Sequence, residues 1–295
     1  MTTVKVLAPA KVNLALHVTG LRSDGFHLLE SLVVFADVAD VLHLSEAGDT
    51  KLMVSGPEAE GIPAGPDNLI LRTLKRLAPD RSAQVHLVKN LPAAAGLGGG
   101  SADAAAVVRA AFALWPDLVR QNRSMDHLHA ELATLGADIP MCLASTPCRA
   151  DGIGEKIEHI SLPQTPALLV NPRVSLSTPQ VFQQLSDKQN GRLPVLENVS
   201  DRMSLVDFLR VQRNDLERPA VKIAPVLEDV LRHLREFEKT QLVRMSGSGA
   251  TCFALFETQD AAHEAGKELA VLRPEWWVWS GMLGDQGRAA EPQIK

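Results

Sequence analysis

The chain has 295 residues, 45% apolar and 22% charged, with a net charge of −5. The length fits two domains better than one core. The acidic balance argues against a general nucleic-acid binder, and no apolar run approaches the roughly 18 residues of a membrane span.

The start, Met1-Thr2-Thr3-Val4-Lys5, has no long apolar segment that would act as a secretion signal. The cysteines, Cys142, Cys148 and Cys252, are odd in number and match no zinc spacing, which reads as reduced thiols in a cytoplasmic setting. Tyrosine is absent, so a ring that stacks on a ligand is one of 8 Phe, 4 Trp or 9 His.

Val4 to Val18 alternates as a strand. Val12, Leu14, Leu16 and Val18 fall on one face and Lys11, Asn13, Ala15 and His17 on the other. Pro9 marks a bend or a sheet edge just before them. Alternation by itself favours a solvated face carrying an ordinary lysine. A turn follows at Gly20 to Gly25, then Phe26 and His27, where a loop can present side chains to a cleft. On position alone, Phe26 as a core plug and His27 as a satisfied polar residue is the simpler reading. A second strand is expected within Val33 to Val41. Asp67 or Asn68 reads as the N-cap of a helix reaching about Leu77.

Val85 to Leu91 is a strand that feeds Pro92-Ala93-Ala94-Ala95-Gly96-Leu97-Gly98-Gly99-Gly100-Ser101-Ala102, and an alanine-rich helix leads out. Ser101 is expected to cap that helix, with Asp103 in its first turn favouring the dipole. Glycines before a helix N-terminus let an anion approach free N–H groups, so phosphate binding is the functional reading and a plain turn the alternative. A Walker loop is excluded, because no lysine precedes Ser101. A dinucleotide fingerprint is disfavoured: Ser101 stands where the third glycine belongs, and Asp117 follows a helix rather than a strand.

Another helix starts at Ser124-Met125-Asp126 and ends at Gly136. In Gly136-Ala137-Asp138-Ile139-Pro140, Asp138 is the one acid of a small apolar turn, and Pro140 is expected to keep Ile139 out of helix. A turn and cap role for Asp138 is equally compatible with this spacing. The composition shifts near Leu162-Pro163, giving an N-terminal domain at 1–162 and a C-terminal one at 163–284. Beyond the boundary come a short strand at Leu168 to Val170, a lead-in at Ser175 to Pro179 to a short helix with Val181, Phe182 and Leu185, and a mobile polar loop from Asp187 to Val199. A helical patch at Met203 to Leu209 and an amphipathic helix at Pro225 to Lys239 follow. A second glycine loop, Ser246-Gly247-Ser248-Gly249-Ala250, opens into a buried strand. Ala261 to Ala270 is a helix, Trp276, Trp277 and Trp279 pack a last strand, and 285–295 is a frayed tail.

Three separated motifs carry a resemblance: Ala8-Pro9-Ala10-Lys11-Val12-Asn13-Leu14, the first glycine loop, and Met245 to Ala250. Together they resemble the kinases named for galactose, homoserine, mevalonate and phosphomevalonate. Asp24-Gly25-Phe26-His27 and Gly136 to Pro140 resemble one branch, the kinases of 4-diphosphocytidyl-2-C-methyl-D-erythritol in the non-mevalonate route to isoprenoid precursors.

The resemblance implies an α+β, two-domain small-molecule kinase fold. An N-terminal ribosomal-protein-S5-like ATP domain and a C-terminal ferredoxin-like domain would enclose the active site in the cleft between them. It implies transfer of the ATP γ-phosphate to the 2-hydroxyl of the erythritol moiety, with Asp138 as base and Lys11 as catalytic lysine. Such chemistry needs an in-line acceptor and stabilised charge on the transferred group. Pro92 to Ala102 would wrap the ATP phosphates, with Asn68 and Lys89 near the adenosine. Mg2+ would arrive with ATP, with no metal ligand assigned. Asn13 and Thr178 would lie on the substrate side. Phe26 and Phe182 would clamp the cytosine, and His27 would read its polar edge. The partner implied is this small molecule, with no nucleic acid and no membrane, and a monomer or weak homodimer. Two positions depart from the pattern: Phe26 where many relatives have tyrosine, and Ala94 where many have glycine.

The rivals are a kinase of mevalonate, homoserine or another small alcohol, and a catalytically inactive nucleotide-binding regulator on the same fold. A cytosine clamp has no use in the first. Retention of Lys11 and Asp138 argues against the second.

Overall fold

The computed structural model describes residues 2–120, 124–197 and 199–295. Two long strands, β1 (Thr3–Leu21) and β2 (His27–Glu46), form an antiparallel hairpin. Then follow β3 (Lys51–Ser55), α1 (Leu69–Leu77), β4 (Ala83–Val88), α2 (Gly99–Leu114), α3 (Asp117–Arg120), α4 (Met125–Leu135), α5 (Ile139–Ala144), β5 (Cys148–Asp151) and β6 (Lys156–His159). The second half runs β7 (Thr165–Asn171), α6 (Thr178–Gln183), α7 (Arg202–Arg210), α8 (Glu217–Ile223), α9 (Val226–Glu236), β8 (Thr240–Met245), β9 (Cys252–Phe256), α10 (Gln259–Leu272), β10 (Trp277–Gly284) and β11 (Gln293–Ile294).

The architecture is mixed α+β, as expected. One sheet runs β11-β1-β2-β10-β7-β9-β8, with β3, β4, β5 and β6 attached off this path. In the second half the order β10-β7-β9-β8, with helices between β7 and β8 and between β9 and β10, is the split βαβ arrangement of a ferredoxin-like unit. The sheet crosses from one half to the other where Leu283 and Gly284 pair with Ala36 and Phe35. We propose that the domain division falls at 162/163, ahead of β7.

Helix α2 is central. Its residues from Ala102 to Val108 are all buried, so it is apolar nearly all round and packs on β1, β2, α1 and α5. It carries the glycine loop at its N-terminus, so the loop stands on the best-packed element of the first half. Half-buried Arg109 leaves α2 to donate to the carbonyls of Cys142 and Leu143, at the end of α5, and of Leu7 on β1. This ties the three elements of the site to one another.

Four expectations are corrected. Helix α2 starts at Gly99, with Gly98 as its cap at φ 64°, so Ser101 is its third residue and Asp103 lies beyond the first turn. A left-handed glycine ends the loop earlier than a serine cap would. Ile139 opens α5 with Pro140 second, which proline allows because a first turn needs no N–H from it. Residues 285–295 are not a frayed tail: Ala290 is buried, and β11 pairs with β1 at Val4 and Lys5, covering the start of an otherwise open strand edge. The Asp187 to Val199 segment, of which Asn198 lies outside the described residues, lacks regular structure but is fastened down. Gly191 accepts from Arg213 at 2.7 Å, and the buried Glu30 carboxylate accepts from Leu193 N at 3.0 Å and from Arg149 at 2.5 Å.

Candidate active site

Strand β1 has a free edge after Lys5, and the site is assembled on it. Lys11 N donates to Leu97 O at 2.8 Å, which docks the first glycine loop. Asn13 N donates to Ser246 Oγ at 3.0 Å, which docks the second. Leu16 N and O bond to Arg213 and Asp215 of the segment before α8. Edge amides at Lys11, Asn13 and Leu16 thus hold three loops in a row. Bulges between Pro9 and Lys11 and between Asn13 and Ala15 break the regular alternation. The polar face expected from the sequence is therefore buried under the loops instead of solvated: Lys11 is 6% and Asn13 5% exposed.

Lys11 Nζ lies 3.0 Å from Asp138 Oδ2 and 2.9 Å from Asn13 Oδ1. Asn13 Nδ2 donates to Ser31 Oγ at 2.7 Å, and Ser31 donates to Ala15 O at 2.7 Å. This chain fixes the amide orientation and so presents Asn13 Oδ1 to the ammonium. Asp138 stands at the start of α5 with no capping bond of its own, and its side chain is 35% exposed, open to the cleft. A buried cation beside a half-open carboxylate can neutralise charge while the carboxylate takes a proton.

The cleft measures about 460 Å³ and is lined by Lys11, Asn13, Asp138, the loop from Ala94 to Ser101 apart from Leu97, and Gly247 to Gly249. Thr178 and Phe182 line it as well. Thr178 Oγ1 and Ser248 Oγ are 2.8 Å apart. Gly98 sits at φ 64°, where a side chain is strained, and a Cβ there would also lie 3.2 Å from Lys11 Cε. Gly96, at φ 72°, is tighter still: a Cβ would sit 2.5 Å from Ser246 O and 2.8 Å from Gly249 O. Gly96→Ala is expected to cost more than about 1 kcal/mol in a denaturant titration and to weaken nucleotide binding, because the two loops can no longer touch. Ala94 adopts φ 50°, so this chain carries an alanine in a left-handed position.

The remaining expected residues divide. Ala94, Ala95, Gly96, Gly98, Gly99, Gly100 and Ser101 face the cleft; Leu97 and Ala102 are buried beneath it; Pro92 and Ala93 turn to a shallower hollow beside Glu58 and Arg173. Asn68 caps α1, accepting from Ile70 N at 2.9 Å and donating to Pro63 O at 2.7 Å, and does not line the cleft; its neighbour Leu69 does. Lys89 does not reach the cleft either. It is 3% exposed and paired with the buried carboxylates of Asp40 and Asp103. Phe26 is 58% exposed, away from the cleft lining, so the expected clamp of Phe26 with Phe182 is not formed. In this structure His27 is stacked on Phe182, with centroids 4.7 Å apart and planes at 25°. Burial and the charge of Lys188 hold the His27 ring below its ordinary value, favouring neutral imidazole.

Sequence reasoning assigned no role to the residues of the second glycine loop, although it singled the loop out as a motif. Asn214 shapes it, donating to Met245 O and Gly247 O at 2.8 Å each. Asp40 was overlooked; its signal is an acid flanked by apolar residues within β2, Val38-Ala39-Asp40-Val41.

Residues 68–151 match the GHMP kinases N terminal domain and residues 196–271 the GHMP kinases C terminal domain. A solved homoserine kinase from Cytophaga hutchinsonii, 19% identical, shares the fold with a TM-score of 0.68 over 99% of this chain and 97% of its own. Fold and site thus define a GHMP kinase, an enzyme that uses ATP as a substrate. The 4-diphosphocytidyl-2-C-methyl-D-erythritol kinase of Roseobacter denitrificans is 46% identical over 99% of this chain and 97% of its own length. That of Ruegeria pomeroyi is 47% identical over 95% and 99%. A crystal structure of 4-(cytidine 5'-diphospho)-2C-methyl-D-erythritol kinase, 34% identical, has a TM-score of 0.77 over 95% of this chain and 99% of its own. The chain belongs to the family of 4-diphosphocytidyl-2-C-methyl-D-erythritol kinases.

Proposed function

We propose that the protein transfers the γ-phosphate of ATP to the 2-hydroxyl of 4-diphosphocytidyl-2-C-methyl-D-erythritol, giving the 2-phosphate and ADP. The observation that carries this reading is the Lys11–Asp138 pair, 3.0 Å apart, open to a cleft floored by two glycine loops. The hydroxyl gives its proton to Asp138 as its oxygen attacks the γ-phosphorus, and the bond to the ADP oxygen breaks in line. Lys11 neutralises charge on the transferred group, while the first turn of α2 supplies N–H groups and a positive dipole end to the phosphates.

Phe182 stacks the cytosine and His27 meets its polar edge, with Asn13 and Thr178 on the acceptor side. A neutral imidazole suits this task, since it offers one donor and one acceptor. Magnesium enters as MgATP. Among the described residues no group of three or more His, Cys, Asp or Glu could hold a metal ion, so no side chain is assigned to it and no step runs through it. Three free, buried cysteines support a cytoplasmic setting, and among the described residues no helix is long and apolar enough to cross a membrane.

Incubation with MgATP and, separately, the cytidyl alcohol, mevalonate and homoserine tests the reading. Phosphorylation of the cytidyl alcohol is expected; turnover of either other alcohol in its place would overturn it. Phe182→Ala is expected to raise KM for the cytidyl alcohol on the order of tenfold, from lost stacking and area, and KM for ATP less than twofold. Initial-rate kinetics with each substrate varied in turn would measure that split.

A further inference from the structure

We propose that Asp40, Lys89 and Asp103 form a buried positioning triad that sets the first glycine loop and the start of α2 as the anion-binding surface for the nucleotide. This deepens the kinase reading above and rests on it. The three side chains come from β2, from the residue after β4 and from α2, and are all buried at the root of the loop. Lys89 Nζ bonds Asp40 and lies 3.0 Å from Asp103 Oδ2. Asp40 Oδ1 also accepts from Asn90 N at 2.6 Å and Leu91 N at 2.9 Å, the two amides that lead into the loop. One carboxylate therefore fixes both the lysine and the chain entering the loop.

The triad lies directly behind the phosphate surface. A Cβ on Gly99, the first residue of α2, would lie 3.5 Å from Lys89 Nζ and 3.9 Å from Asp40 Oδ2. The loop lacks the lysine of a Walker motif, and here a buried lysine stands under its backbone, where it bonds the carboxylate that holds the Asn90 and Leu91 amides. Lys89 is held well charged by its two acids despite its burial.

Two carboxylates against one ammonium leave the charge of the triad dependent on a proton. Among the described residues the charged groups facing Asp103 are Lys89 and Asp40. Burial pushes Asp103 up to about 8, against the pull of Lys89. Its Oδ1 has no hydrogen-bond partner among the described residues, and the nearby Asp40 carboxylate adds to the upward push. Below that value the triad is neutral; above it, a negative charge sits behind the helix end that must receive a triphosphate.

Calorimetric titration of the full chain with MgATP alone, from pH 7 to 9.5, tests this without any acceptor, so an error about the alcohol substrate cannot mask the result. The wild type is expected to bind several-fold more weakly at the alkaline end. Asp103→Asn is expected to abolish that pH dependence while keeping its neutral-pH affinity within about twofold. Asp40→Asn, which faces Lys89 with an amide donor, is expected to weaken binding by roughly tenfold or more at pH 7. Matching pH profiles for wild type and Asp103→Asn would overturn the proposal. So would a folded Asp40→Asn protein with wild-type affinity. If Asp40→Asn does not fold, the Asp103→Asn comparison decides alone. A wild type that binds no MgATP at any pH would instead overturn the kinase reading.

Discussion

Asp138→Asn is expected to lower kcat by roughly 10²–10⁴-fold, the range for removing a positioned general base. Both KM values are expected to stay within a few-fold. The carboxylate is 35% exposed and stands at the mouth of α5 with no capping bond to lose, so the change leaves helix and loop contacts alone. Lys11 keeps its second partner, Asn13 Oδ1 at 2.9 Å, and the cation is not stranded. Loss of rate therefore reports chemistry rather than unfolding, and an unchanged thermal midpoint would confirm that separation. Asp138→Glu is expected to recover little, because one added methylene moves the base by about 1 Å from the acceptor. A variant with kcat within tenfold of wild type would remove Asp138 from the mechanism.

The parts of the site that were legible in the sequence are those built from local pattern. A strand carrying Lys11 and Asn13 two apart, a glycine run opening a helix, and one acid in an apolar turn each follow from neighbouring residues, and the structure brings all three into one cleft. What was not legible depends on pairings across the chain. Bulges in β1 alter which side chains share a face, and no periodicity announces them. Lys89, placed near the adenosine by resemblance alone, is paired with acids 49 and 14 residues away, which local pattern does not show. Asn68 carried two compatible roles, and only the position of Pro63 O and Ile70 N decides for capping. The tail read as loose because a two-residue strand has no pattern of its own; its partner, β1, lies at the other end of the chain. Phe26 and His27 are adjacent, so local pattern does not show which ring stacks on Phe182; here it is His27.

Lys11→Met is expected to lower kcat by roughly 10²–10³-fold, the scale of losing one preorganised electrostatic contact in a site shielded from water. Methionine fills the channel of the lysine stem beneath Gly98, so the packing that seats the loop survives while the charge goes. The informative measurement is the double variant with Asp138→Asn. If Lys11 acts only through the carboxylate, the double variant is no slower than Asp138→Asn. If the two groups act independently, the losses multiply. The geometry predicts neither extreme. The ammonium bonds Asp138 at 3.0 Å, which couples them, yet the lysine stem also packs under the glycine loop proposed to hold the phosphates. The expected double loss is thus greater than either single loss and smaller than their product, on the order of tenfold below Asp138→Asn. A full product would mean that the 3.0 Å contact carries no coupling in the transition state, and the pair would then be two separate aids to one reaction.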